Sequence, residues 1–235
     1  MTLDQAFEAL RKFDWGTPLA EVSGIDDAVV ASHADAALRQ DLEGRLIASL
    51  STDISRDAKD YVCRKLAIVG SPAAVPALSG LVAQEDHSHL ARHALERIPG
   101  PEAASALTGA LDKVTGKVKI GVIGSLGARR ETAAVPVLAG LLGDADPAVA
   151  RSAALALGAI GGGDASRALQ AAIGNGGKGN LTLIDVLLSC AESLLSGRQT
   201  AEAAAIYRSL SGDEQPRLVR LAANRGLLAC LSAQA

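Results

Sequence analysis

The sequence predicts an all-α architecture of stacked helix pairs, and three observations carry that prediction. Alanine and leucine supply 46 and 33 of the 235 residues, against five aromatics, Phe7, Phe13, Trp15, Tyr61 and Tyr207. Strands favour β-branched and aromatic side chains, so this bias points to helices. A ten-residue phrase also recurs: Ala73-Ala-Val-Pro-Ala-Leu-Ser-Gly-Leu-Val82 returns as Glu102-Ala-Ala-Ser-Ala-Leu-Thr-Gly-Ala-Leu111 and as Ala133-Ala-Val-Pro-Val-Leu-Ala-Gly-Leu-Leu142. A fainter copy begins at Asp164, and the offsets are 29, 31 and 31 residues, the period of a helix-pair repeat. Between the copies runs a second helical stripe. Val149, Ala153, Leu157 and Ile160 fall on one helix face, and Ala58/Val62/Leu66, Leu90/Ala94/Ile98 and Val118/Val122/Leu126 occupy the same columns.

The elements follow in order. Residues 3–32 hold two helices and three of the aromatics; in a stack of repeats the end unit has one face without a neighbour, so these rings are expected to close off the core. Helices near 34–50 and 54–69 form the first pair. The 73, 102 and 133 phrases open the first helices of the next three pairs, and the last two pairs lie near 164–174 with 179–196 and near 199–211 with 214–232. Pro76 and Pro136 sit in first turns, where a missing N–H costs nothing, and Pro147 falls at a first helical position. Asp86, Asp144 and Asp146 stand where second helices begin, suited to free N–H groups and the positive end of the helix dipole. Gly70, Gly127 and residues 161–163 are placed as C-terminal caps. Pro99-Gly100-Pro101 compresses the turn that shortens the first offset. Gly80, Gly109 and Gly140 share one column inside first helices, which suggests that neighbouring backbones approach closely there. The segment 174–179, rich in glycine, reads as a linker or hinge.

Bulk composition narrows the function classes. No apolar run reaches the roughly 18 residues that span a bilayer, so membrane insertion is not expected. The N-terminus has no basic region followed by an apolar core, so no signal peptide is read and the expected compartment is the cytoplasm. Cys63, Cys190 and Cys230 are odd in number and set in apolar helical surroundings, which reads as buried thiols rather than a disulfide framework. The formal net charge of −3 hides an asymmetry: residues 56–130 carry 11 Lys+Arg and 7 Asp+Glu, the rest 12 and 19. A basic patch on an acidic body is one consequence.

Asp144 to Gly158 reads Asp-x-Asp-Pro-x-Val-x-Arg-x-Ala-Ala-x-x-Leu-Gly, with the Ala-Val-Pro-x-Leu type of helix before it. This pattern resembles HEAT repeats, especially the short bacterial type also found in phycobilin lyases, and it is carried best by residues 54–174. The resemblance implies an armadillo-like α-α superhelix of about six helix pairs as a single solenoid over 1–235, with 1–33 as an N-terminal cap, 34–174 as regular repeats and 175–235 as divergent C-terminal pairs. It restricts activity little, because function lives in sites rather than in the fold.

The chemical-looking motifs are each outweighed by a plainer reading. Lys119 to Arg129 imitates a dinucleotide-binding turn, but Leu126 stands where that turn needs glycine, and the residues fit the repeat register. His89 and His93, at i, i+4, have the spacing of a metal pair; their column is an exposed one, so they are read as partner-facing. A pI near 5.8 and a single inner aromatic, Tyr61, disfavour nucleic acid. No nucleophile elbow, phosphate loop or His-Glu-x-x-His occurs.

The exposed columns of the second helices, which in a solenoid would line one continuous inner surface, therefore form the candidate binding surface. Asp57, Asp60, Tyr61, Arg64, Lys65, His89, Arg92, His93, Glu96, Arg97, Lys117 and Ser125 fall there, with Arg129 and Arg130 at the following turn. The expected function is a non-enzymatic scaffold, with no cofactor, that binds an acidic protein or peptide through Tyr61, Arg64, Lys65, His89, His93, Arg97, Arg129 and Arg130. Arg92 and Arg151 are read as structural, bonding a neighbouring turn. The alternative that the resemblance implies is a HEAT-type lyase or another small-molecule-binding enzyme.

Overall fold

A computed structural model describes residues 1–174 and 180–233 of the chain. Among the described residues there are fourteen α-helices, several 3-10 turns and no strand, so the fold is all-α and of the helical-repeat class. The glycine-rich stretch read as a linker lies, from 175 to 179, outside the described residues. The chain divides into two compact units, residues 1–125 and 126–235.

The first unit begins with α1 (Leu3–Leu10) and α2 (Ser23–Ala31), which pack together. Thr2 accepts from the Gln5 N–H at 3.2 Å while Gln5 accepts from the Thr2 N–H at 3.0 Å, a reciprocal pair that satisfies two donors the helix start would otherwise leave free. Next come α3 (Ala36–Leu50) and α4 (Arg56–Val69), opened by Asp35 and Ser55 as side-chain caps. Ser55 also donates to the Phe13 carbonyl at 2.6 Å, which ties the N-terminal loop to α4. At the far end of α4, Arg39 of α3 donates to the carbonyls of Val69 and Ile68 at 3.0 and 3.2 Å, a cation on the negative end of the helix. The buried Glu43 carboxylate accepts from the Ser71 N–H at 2.6 Å and fixes the turn into the next pair.

That pair is α5 (Val75–Val82) and α6 (Glu85–Arg97), followed by α7 (Pro101–Ala110) and α8 (Gly116–Ala128), within which the first unit ends. First helices stack on first helices (α5 on α7) and second on second (α4 on α6), so the unit is two layers with an apolar seam between them. The repeat columns meet in that seam: Leu78 and Leu107 are fully buried, as are Val62, Ala94 and Val122. The segment Lys119–Arg129 that imitates a nucleotide turn is helical through Ala128.

The second unit repeats the plan with α9 (Val135–Gly140), α10 (Pro147–Ile160), α11 (Gly162–Gly174), α12 (Leu181–Ser196), α13 (Thr200–Ser209) and α14 (Arg217–Ser232). Layers again segregate, α9, α11 and α13 in one and α10, α12 and α14 in the other. Asp146 caps α10 by accepting from the Ala148 N–H at 2.8 Å, Pro147 takes the first position, and Gly161 closes the helix at φ +70°, a backbone state that favours glycine. Leu138 and Leu169 stand at the fully buried column that Leu78 and Leu107 hold in the first unit.

Three expectations are overturned. A Cβ added at Gly80, Gly109 or Gly140 would meet nothing within 4 Å, so that column does not mark a close backbone approach. Close approaches occur instead at other positions, among them Gly127, whose Cβ would lie 2.9 Å from the Ala156 Cα, and Gly121, covered by the Arg92 guanidinium. Gly127 is thus inside the last turn of α8 as a packing position rather than a cap. Trp15 does not close off the core: it is 91% exposed, whereas Phe13 is buried against Tyr61 with ring centroids 5.8 Å apart.

Candidate functional site

Helical periodicity places the site residues of the first unit. On α4, Arg56, Asp60 and Arg64 succeed one another at spacings of four and so share a face. On α6, His89 and His93 do the same, and Leu90 lies between them. Because α4 and α6 pack side by side, the two stripes meet in a surface groove of about 380 Å³ lined by Arg56, Asp60, Arg64, His89, Leu90 and His93. Asp60 and Arg64 form an ion pair at 2.5 Å, but the Arg64 side chain remains two-thirds exposed, so solvent screens the pair and the guanidinium keeps donors for another acceptor. Two arginines and two imidazoles face one carboxylate in this groove, an arrangement that favours an anionic ligand group.

The other expected site residues are distributed differently. Tyr61 is buried; its hydroxyl donates to the Val22 carbonyl at 3.3 Å, and burial, with Asp26 adding, pushes its ionisation well above the ordinary tyrosine range. Lys65 is ion-paired with Asp26 and rests on the Tyr61 ring at 4.6 Å. Both therefore brace α4 against α2 and the N-terminal loop. Arg97 is exposed in the last turn of α6. Arg129 and Arg130 follow α8 and belong to the second unit, Arg130 at φ +52° with its N–H donating to the Gly127 carbonyl at 2.9 Å. Ser125, read as exposed, is buried.

Arg92 has the structural role expected of it. From α6 it donates to the Gly121 carbonyl at 2.8 Å and to the Ser125 hydroxyl at 3.0 Å, with a longer contact to Ser88 at 3.3 Å, and Ser125 in turn donates to Glu96 at 2.6 Å. Burial lowers the Arg92 ionisation from its ordinary value, partly offset by Glu96. Burial likewise lowers that of His87, with Lys59 reinforcing the effect; its ring lies 3.1 Å from the Gln84 amide oxygen.

A second cavity on the opposite flank of α4 was not anticipated from the sequence. It measures about 260 Å³ and is lined by Phe13, Trp15 and Leu19 from the N-terminal segment and by Asp57, Asp60, Tyr61 and Arg64 from α4. Asp60 and Arg64 thus line both cavities. Arg56 also escaped the sequence reading, although its i, i+4, i+8 spacing with Asp60 and Arg64 was there to be seen. Trp15 carried no such signal, because its exposure depends on where the loop after α1 is anchored. Among the described residues, no group of three or more His, Cys, Asp or Glu could hold a metal ion, and no helix is long and apolar enough to cross a membrane.

Comparison with known proteins bears on the fold. Residues 115–179 match the family described as HEAT repeats. No curated protein matches the sequence. Among solved structures, an archaeal HEAT-like repeats protein from Thermococcus onnurineus NA1 aligns with 100% of this chain and 99% of its own, at 14% identity and a TM-score of 0.51. A computationally designed armadillo repeat protein for modular peptide recognition aligns over 98% and 99% at 18% identity and a TM-score of 0.38. A designed armadillo repeat protein in complex with the peptide (KR)4 aligns over the whole of both chains at 16% identity and a TM-score of 0.37.

Proposed function

We propose that this all-α solenoid chain, which carries HEAT repeats across residues 115–179, is a non-enzymatic interaction scaffold that docks an acidic protein segment on the exposed surface of α4 and α6. The observation that supports this reading is the convergence of Arg56, Arg64, His89 and His93 on one groove of about 380 Å³ that holds a single carboxylate. Arginine donors in a fixed fork suit carboxylates, and a repeat fold supplies a broad surface. In this reading Arg64, His89 and His93 touch the partner and Arg97 extends the cationic rim, while Arg129 and Arg130, on the other unit, are a cationic position of their own. Tyr61 and Lys65 hold α4 in place.

The test is binding of a labelled Glu-Ser repeat peptide by fluorescence anisotropy. The variant Arg64→Glu/Arg97→Glu/Arg129→Glu should lose the binding while its far-UV circular dichroism stays unchanged, and wild-type binding should weaken as salt rises. Equal binding by the reversed variant would reject the site.

A further inference from the structure

We infer that the cavity between Trp15 and α4 is a subsite for a lysine or arginine side chain of the docked segment, so that the partner presents a basic residue beside its acidic ones. Trp15 is 91% exposed and Leu19 63% exposed, yet the turn that carries Trp15 is tied by hydrogen bonds. Asp14 accepts from the Trp15 N–H at 2.9 Å, Thr17 accepts from the Asp14 N–H at 3.2 Å, Gly16 takes φ +82°, and the preceding Phe13 carbonyl is held by Ser55. A large aromatic side chain fixed in water by its own turn gains nothing for the fold and is the type of residue that anchors interfaces.

The charge beside the ring selects the occupant. Asp57 and Asp60 line the cavity with their side chains about three-quarters buried, while the arginines paired to them, Arg56 and Arg64, reach outward and are more than 60% exposed. With Asp14 also in the wall, three carboxylates face one guanidinium. The same unit twice uses an aromatic face and a carboxylate to hold a cation. Arg45 lies 4.4 Å from the Phe7 ring centre and 2.7 Å from Asp4, and Lys65 lies 4.6 Å from the Tyr61 ring centre and is ion-paired with Asp26. Trp15 with Asp57 and Asp60 is a third such conjunction, on the ring type that attracts cations most strongly, and no cation of the described residues stacks on it. Because the Asp60 and Arg64 pair walls both cavities, one extended segment reaches the Trp15 subsite and the cationic groove together.

The inference rests on the proposed docking face of α4, and its test separates the two. Trp15 is the only tryptophan in the chain, so its emission reports on the cavity directly. Titration with an acetylated, amidated Lys-Ser-Lys-Ser-Lys peptide should change that emission with an affinity that falls as salt rises, while the Glu and Leu analogues should leave it unchanged at the same concentrations. Asp57→Asn should weaken the lysine peptide about tenfold, and Trp15→Ala, measured by calorimetry, should weaken it by at least as much. Trp15 is so exposed that its removal does not threaten folding. An equal response to the Leu or Glu peptide, or an unchanged affinity in Asp57→Asn, would overturn the subsite. Lysine binding that persists in the Arg64→Glu/Arg97→Glu/Arg129→Glu variant while acidic-peptide binding shows no dependence on those arginines would support the subsite and reject only the acidic groove.

Discussion

Gly121→Ala tests the Arg92 bridge between α6 and α8 with a single methyl group. On helix propensity alone the change stabilises, because alanine is favoured over glycine inside a helix by about 1 kcal/mol. The added Cβ, however, would lie 2.5 Å from the Arg92 Cζ and Nη2 and 3.0 Å from its Nε. The guanidinium must leave, and with it go the bonds to the Gly121 carbonyl and the Ser125 hydroxyl and the longer one to Ser88. Arg92 is half-buried and can turn to water, so each bond counts at its net value of about 1 kcal/mol, for a loss of about 2 to 3 kcal/mol in total. Gly121→Ala should therefore destabilise by about 1 to 2 kcal/mol, the loss less the propensity gain. In an Arg92→Ala background the obstruction is gone and the same methyl should stabilise by about 1 kcal/mol. The assay is urea unfolding of the four proteins of this double-mutant cycle, followed by circular dichroism, and the coupling energy is the difference between the two effects. A Gly121→Ala shift of the same sign in both backgrounds would refute the claim that Arg92 dictates the glycine.

Two further predictions concern stability. Gly80→Ala, Gly109→Ala and Gly140→Ala should each raise the unfolding free energy, by about 0.4 to 1 kcal/mol, because their Cβ positions are open, whereas Gly127→Ala should lower it by about 1 to 3 kcal/mol by pressing on the Ala156 backbone; a uniform sign across the four in urea melts would contradict the packing described. Alkaline pH should weaken the fold. Burial first, then Asp60, holds the Cys63 thiol up to about 12 from an ordinary 9.0, burial raises Cys190 as well, and Tyr61 is raised from 10.0. Above pH 9 the unfolded chain therefore releases protons that the folded chain keeps, so stability present below pH 9 falls as pH rises, by about 1.4 kcal/mol per pH unit for each thiol fully ionised only when unfolded. Cys63→Ala should reduce the slope measured between pH 9 and 10 by Cys63's share; an unaltered slope would exclude that thiol.

The candidate site was only partly legible along the chain. The stripe Asp60, Arg64 and the pair His89, His93 could be read because a helix face is a fixed spacing, and α4 and α6 do bring these residues together. The same column placed Tyr61 and Ser125 outside, and both are buried, because a column does not reveal that the N-terminal loop crosses one side of α4 or that Arg92 reaches over α8. The glycines divide in the same manner: the column at Gly80, Gly109 and Gly140 was conspicuous and borders open space, while Gly121 and Gly127, embedded in a misleading motif, are crowded by neighbours.

The sequence by itself determined the helical class, the pairing period and the apolar seam, because these depend on interactions among residues a few positions apart and repeated at a constant interval. Leu78, Leu107, Leu138 and Leu169 sit at equal burial for that reason. Tertiary structure alone decided which polar side chains face water and what they face, since that depends on contacts between distant residues such as Ser55 on Phe13, which the repeat period does not place.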